Sequence, residues 1–231
     1  MNIRISKEVV ANFQFGSSNS KTGDAVQITS VPQAMIDHGK ADTALDSAVC
    51  FDCPYSNGRG CYVTKGMAYM GLKSKVRSLH KKLSFNKWED ILAKVREYNY
   101  IRFGSYGEPV LLSIKQITQL IEKASTWTGY THQWRKAKYD KYKKYFMASV
   151  ETVEAAMKAE SMGWRYFFVI KKDYVLPEGI TIDGHKLKCG DKTIAINCPA
   201  SKESGKKLTC NTCGFCKGIM GPKINIWTYK H

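Results

Sequence analysis

Seven of the eight cysteines fall into two groups, and any fold open to this chain must gather the members of each group. Cys50, Cys53 and Cys61 form C-x2-C-x7-C, and Cys198, Cys210, Cys213 and Cys216 form C-x11-C-x2-C-x2-C. Thiols grouped this closely point to metal binding in a reducing compartment, and soft sulfur donors narrow the choice to an iron–sulfur cluster or zinc. A disulfide framework is disfavoured because the opening stretch MNIRISKEVVANF lacks the unbroken apolar run of an export signal. A cytoplasmic location is therefore expected. No stretch has the length of apolar chain needed to span a bilayer, so no membrane partner is expected.

The chain has 231 residues, of which 43% are hydrophobic and 12% aromatic, enough for a substantial core. Lys and Arg number 36 against 20 Asp and Glu, a formal charge of +16. Such an excess attracts polyanions, nucleic acid first among them. It concentrates in two stretches, Lys73 to Lys82 and Arg135 to Lys144. In the second, tyrosines interleave with lysines, a pattern in which rings stack on bases while ammonium groups hold phosphates. Two solvated helix faces are the plainer reading of the same charges.

Hydrophobic periodicity predicts a strand over Ala25–Ser30, then a helix with Leu72, Val76, Leu79 and Leu83 on one face. Asn86-Lys-Trp-Glu89 and Ser113-Ile-Lys-Gln116 have the form of capping boxes opening two further helices. Strands are predicted over Tyr100–Phe103, Trp127–Thr131, Tyr145–Ser149, Arg165–Ile170 and Thr193–Asn197. A basic helix is predicted from Trp134 and another helix around Val153, Ala156 and Met157. Alternation of strand and helix is the signature of parallel βαβ units, so the expected fold is α/β: a parallel (β/α) barrel or part-barrel. A doubly wound open sheet has the same alternation. Residues 1–170 read as the barrel core with the N-terminal cysteine loop. Residues 171–231 read as the last strands and a Cys-rich metal-binding extension of the same domain.

In such a barrel the chemistry lies in loops after the C-terminal ends of strands. The first cysteine loop, Gly104–Pro109, Thr131-His132-Gln133 and Asn197-Cys198-Pro199 all fall there. His132 is a candidate acid, base or ligand, and Arg102 a further candidate. Cys210-x2-Cys213-x2-Cys216 resembles the first three ligands of a bacterial ferredoxin loop, with Cys198 placed to be the fourth. Four thiolates also suit a structural zinc. For the N-terminal trio the zinc alternative requires a histidine, His38 or His80, or the sharing of one cysteine with the C-terminal group. Cys189 fits neither spacing and reads as a free, partly buried thiol. No P-loop, dinucleotide-binding, zinc-protease or nucleophile-elbow motif occurs.

Tyr106-Gly107-Glu108-Pro109, after a strand and before a helix, resembles the Gly-Gly-Glu-Pro segment of radical S-adenosylmethionine enzymes. The first cysteine group lies where that family carries its cluster loop, and Cys61-Tyr62 resembles the loop's cysteine-aromatic ending. This chain differs in having C-x2-C-x7-C in place of C-x3-C-x2-C, and Tyr106 in place of the first glycine. The resemblance implies a radical-SAM-like barrel with a [4Fe–4S] cluster on Cys50, Cys53 and Cys61. One iron would be open to S-adenosylmethionine, whose methionine moiety would meet Tyr106, Gly107, Glu108 and Pro109, and the C-terminal four would hold a second cluster. It adds Glu108 to His132 as a candidate catalytic residue and implies a reductant as partner. From about Cys50 to Cys216 the chain is also similar to a group of small bacteriophage proteins with no agreed activity, which implies a host cytoplasm.

Three functions are consistent with these residues. One is an iron–sulfur enzyme acting on nucleic acid, with tRNA the first substrate to test. The second is a zinc-stabilised nucleic-acid-binding protein without catalysis. The third is an iron–sulfur protein that carries electrons or senses redox state.

Overall fold

Short runs rich in Val, Ile and aromatic residues supply the strands, as their preference for pleated, half-buried surfaces dictates. The computed structural model describes residues 1–16, 21–61, 63, 66–171 and 173–230. Tyr62, expected to close the cysteine loop, lies outside the described residues, as do Lys172 and His231 of the C-terminal span. The chain divides into two units, Met1–Ser17 with Ala25–Ser125, and Ser18–Asp24 with Thr126–His231.

In the first unit, β1 (Asn2–Arg4), β2 (Val9–Gln14) and β3 (Val26–Pro32) pair antiparallel, and β4 (Tyr100–Tyr106) runs parallel to β3. Val10 faces Val31 and Phe13 faces Ile28 across the β2–β3 pair. β3 is buried along nearly its whole length, the pattern of a strand covered on both faces. The helices are α1 (Gln33–His38), α2 (Ser47–Cys50), α3 (Gly66–Lys81), α4 (Trp88–Val95) and α5 (Ile114–Ile121). The predicted stripe of α3 is buried at Leu72, Val76 and Leu79, with Leu83 packed against the same cluster beyond the helix end. Ser113 and Gln116 form the predicted capping box of α5. Asn86 does not cap α4, whose N-cap is Lys87 with no side-chain bond. Asn86 instead accepts the Asn2 amide at 2.9 Å through its side chain and gives its own amide to Asn2 at 2.8 Å. Tying down the β1 edge has won over capping.

The second unit carries β5 (Thr126–Thr128), β6 (Tyr130–Thr131), β7 (Met147–Val150), α6 (Val153–Ser161) and β8 (Tyr166–Ile170). It continues through β9 (Ile180–Asp183), β10 (Lys186–Cys189), β11 (Lys192–Asn197), α7 (Cys210–Cys213) and β12 (Asn225–Tyr229). Its seven-stranded sheet has the order β6-β7-β8-β12-β11-β10-β9. Neighbours are parallel from β6 to β11 and antiparallel across β11-β10-β9.

The predicted barrel is corrected by this topology. The fold is α/β, but the strands lie in two mixed sheets; among the described residues there is no closed parallel barrel, radical-SAM-like or otherwise, and nothing bears out a part-barrel. The physical reason is the antiparallel pairing at β1–β2–β3 and β9–β10–β11. β1–β2 and β9–β10–β11 follow one another through short loops, and among the described residues no helix lies between β2 and β3, so these pairs lack the crossover that parallel neighbours need. The β9–β10 hairpin carried a readable signal, Asp183-Gly184 between alternating apolar residues, with Gly184 at φ 55°.

The basic helix predicted from Trp134 is also different. Gln133–Arg135 and Ala137–Lys144 are 3-10 turns. Lys138, Lys141 and Lys144 recur every three residues, as do Tyr139, Tyr142 and Tyr145, which is the period of a 3-10 helix and not of an α-helix. The three lysines are exposed, whereas Tyr142 and Tyr145 are 6% and 5% exposed. Those two rings belong to the core and are not offered to bases.

Candidate metal centres

The first cysteine group is built by a tight chain reversal in the first unit. Asp42 caps a 3-10 turn at Thr43–Leu45 by accepting the Ala44 amide at 3.0 Å, and α2 then ends on Cys50. The Cys53 amide bonds the Cys50 carbonyl at 3.0 Å, and the Ser56 hydroxyl and amide both bond the Cys53 carbonyl. Phe51 and Asn57 each stand at φ 53°, a conformation that side chains other than glycine adopt at a cost, so the loop is held in a curled shape. Cys50 and Cys53 are buried, and Cys61 packs half-buried against the same cluster. Burial pushes the Cys50 thiol far above its ordinary range, and Asp46, Cys53, Glu108 and Cys61 add to the effect. The three thiols therefore share one neighbourhood with two carboxyl groups. A cation bound there would reverse the effect and hold the thiolates.

The Tyr106–Pro109 segment lies in the same unit, against α2. Glu108 gives its amide to the Val49 carbonyl at 2.8 Å, one residue before Cys50. Gly107, at φ 77°, has space for no side chain: a Cβ would fall 2.9 Å from Ser30 Cβ and 3.1 Å from Val49 Cβ. The Tyr106 hydroxyl donates to the buried Asp46 carboxylate. Burial and the Asp46 bond hold the phenol in its protonated form. Burial also raises the Asp46 carboxyl, against the lowering effect of that hydrogen bond. Asp46 was not singled out in the sequence, and nothing in its local pattern marks it. Glu108 is 4% exposed, and Pro109 opens a 3-10 turn. Arg102 is half-buried on β4.

The alternative histidine ligands are placed elsewhere. His80 Nδ1 bonds the Ile36 carbonyl at 2.8 Å, and His38 is exposed at the end of α1. Among the described residues neither joins a group of three potential metal-ligand atoms.

The second cysteine group is assembled on one face of the second unit's sheet. Cys198 follows β11 and is pinned by its amide to the Trp227 carbonyl at 2.8 Å. Cys210 and Cys213 are one turn apart on α7, whose capping box is made by Thr209 and Thr212. The Cys210 amide bonds the Lys21 carbonyl at 2.9 Å, so the segment at 21–22 holds α7 in place. Cys198, Cys210, Cys213 and Cys216 line one small cavity with Tyr130 and Phe215. Cys198 and Cys216 are 5% and 7% exposed, and Met147, Phe167 and Ile226 complete the apolar cluster around them.

Arg165 anchors the segment after Cys216. Its buried guanidinium donates to the carbonyls of Phe215 at 2.8 Å, Gly218 at 2.7 Å and Ile224 at 3.1 Å. Burial lowers its pKa, with Cys216 working in the opposite direction. Burial also raises the Cys216 thiol, against a lowering hydrogen bond from Tyr130. A fixed positive charge is thus set where thiolates and a bound metal centre would carry negative charge.

Zinc and a cuboidal cluster would ask different spacings of these four sulfurs. A tetrahedral zinc site with Zn–S near 2.3 Å needs sulfurs about 3.8 Å apart. Among the described residues no three of these four sulfurs lie within 4.8 Å of one another. A cuboidal cluster places its four thiolates on four different irons and accepts the wider spacing. Cys189 is exposed on β10, more open than the partly buried thiol expected.

A scan of protein-family models, a search of curated proteins and a search of solved structures each found no match to this chain.

His132 lies in the second unit, just past β6, with its Nε2 2.9 Å from Glu151 Oε1. Glu151 was not named from the sequence. The signal was the parallel pairing of β6 with β7, Tyr130 beside Met147, which sets residues just beyond the two strand ends side by side. Gln133 next to it is 1% exposed, with neither side-chain amide atom hydrogen-bonded.

Proposed function

We propose that this is an iron–sulfur protein with two cluster sites, one in each unit. Cys198, Cys210, Cys213 and Cys216 would hold a [4Fe–4S] cluster with all four irons ligated. Cys50, Cys53 and Cys61 would hold a second cluster with one iron open. The observation that carries the reading is the convergence of four thiols on one apolar-walled cavity, with three of them in the C-x2-C-x2-C spacing of a cluster loop.

A cluster with an open iron supplies, when bound, a coordination site for the amino and carboxylate groups of S-adenosylmethionine. The chain's own residues would orient such a ligand: the Tyr106–Pro109 turn is tied to α2 through the Glu108 amide, and Gly107 keeps the turn close to it. Tyr106, bonded to Asp46, fixes the turn from its other side. A reductant would be the electron source. In the second unit His132 and Glu151 set an imidazole beside a carboxylate, a pairing that would serve proton transfer once aligned.

Nucleic acid remains the proposed polyanionic substrate, with tRNA to be tested first. Exposed Lys138, Lys141 and Lys144 support contacts to phosphates, while the buried Tyr142 and Tyr145 argue against a stacking platform.

The test is anaerobic reconstitution of the wild-type chain, Cys213→Ala, Cys50→Ala and the double variant with iron and sulfide. Absorbance near about 400 nm from thiolate-ligated clusters should fall in each single variant and disappear in the double variant. Equal spectra in all four proteins would overturn the assignment of ligands.

A further inference from the structure

An open groove of about 440 Å³ in the first unit uses neither cysteine group. One wall is a single stripe of α3, Gly71, Ser74, Lys75 and Ser78, beside the buried stripe of Leu72, Val76 and Leu79. Residues three and four apart on a helix share a face, so these four positions present one ammonium and two hydroxyls along about two turns. Asn12 and Gln14 of β2 line the groove and add two carboxamides. Asn12 gives one amide hydrogen to Asn2 Oδ1 at 2.7 Å.

Lys75 is the unusual member. Most lysines keep the ammonium in water, yet this one is half-buried, and its partial burial lowers its pKa to about 8. Its ammonium donates to the Thr29 hydroxyl at 2.9 Å, and among the described residues no carboxylate pairs with it. A half-buried cation without a counter-charge is costly to keep, and none of the groups named along the groove is acidic. A bound oxyanion would supply the missing charge.

We propose that this groove binds a phosphate group, with Lys75 as its cation and Ser74 and Ser78 as hydroxyl donors. Three phosphate oxygens match one ammonium and two hydroxyls spaced one helical turn apart, and a phosphate adds opposite charge on the acceptor, which the Thr29 hydroxyl lacks. The phosphate comes either from a free phosphate ester or from a polynucleotide backbone. The site is independent of both metal centres.

The experiment is isothermal titration of the full chain with inorganic phosphate, with a nucleoside monophosphate and with a single-stranded oligonucleotide, at about 0.15 M salt. Lys75→Met is compared with Lys81→Met, an exposed lysine at the end of the same helix. At least about tenfold weaker binding in Lys75→Met, with Lys81→Met within about twofold of wild type, is the expected result. An effect on phosphate and the monophosphate assigns a free ester, and an effect on the oligonucleotide alone assigns a backbone. Equal losses in the two variants, or no loss in either, would overturn the site. Should Lys75→Met not fold, acetylation of the wild-type amines answers the same question. Protection of Lys75, but not Lys81, by one of the three probes supports the site, and protection by none of them overturns it.

Discussion

Gly107 stands where the Tyr106–Pro109 turn meets β3 and α2, in a conformation and at a separation that only glycine meets without strain. Gly107→Ala adds left-handed strain of about 1–2 kcal/mol and forces Ser30 or Val49 to move. A loss on the order of 2–3 kcal/mol is expected in urea unfolding. A change below about 0.5 kcal/mol, the range of neutral surface substitutions, would contradict the close packing. Lys75 makes a pH-dependent prediction. Its folded pKa of about 8 lies below the unfolded value of 10.5, so the unfolded chain binds more protons between those two values. The ammonium therefore destabilises the fold fully below pH 8, and the penalty is relieved as pH rises from 8 towards 10.5. Against Lys75→Met, which has no such group, wild type should gain on the order of 3 kcal/mol across that window. Parallel stability curves for the two proteins would show that Lys75 is not desolvated.

At the scale of elements, the 3-10 segment Ala137–Lys144 divides its two residue types between solvent and core. Tyr142→Ala should cost roughly 3–4 kcal/mol, the range for removing a buried aromatic ring. Replacing Lys138, Lys141 and Lys144 with Gln should leave stability nearly unchanged and flatten the salt dependence of oligonucleotide binding. Oligonucleotide binding kept in Tyr142→Phe but lost in a folded Tyr142→Leu would restore the stacking role. The period of three was present in the sequence, but charge and aromaticity were read without it. The strands β3, β4, β7, β8 and β11 and the helices α3, α5 and α6 were legible because each has an apolar period or a cap that tertiary contacts reinforce. β1 and β2 were not, because their short runs sit among polar residues and gain their burial only by pairing with β3. Asn86 shows the opposite failure. A valid capping pattern was overruled because Asn2, 84 residues away, offered its side chain better partners. Alternation of strand and helix was real between β3 and β4 and between β7 and β8. It was extended to a barrel across hairpins that carry no helix.

For the whole molecule, the account rests on two thiol groups, each gathered within its own unit. Spacing along the chain grouped these seven cysteines as the two packed clusters do: C-x2-C places neighbours through local turns, and Cys61 and Cys198 join them through packing. Asp46 and Glu151 carry no local signal, and Lys75 and Arg165 read only as part of a basic stretch and the start of a strand, because their roles come from burial and from partners distant in sequence. Among the described residues no helix is long and apolar enough to cross a membrane, and a +16 charge favours polyanionic partners for the proposed chemistry. The most direct measurement is the iron, acid-labile sulfide and zinc content of the chain purified without oxygen. Two cuboidal clusters predict about eight irons and eight sulfides per chain, with zinc near zero. Stoichiometric zinc with no sulfide would contradict the central claim, and the two thiol groups would then be structural zinc sites.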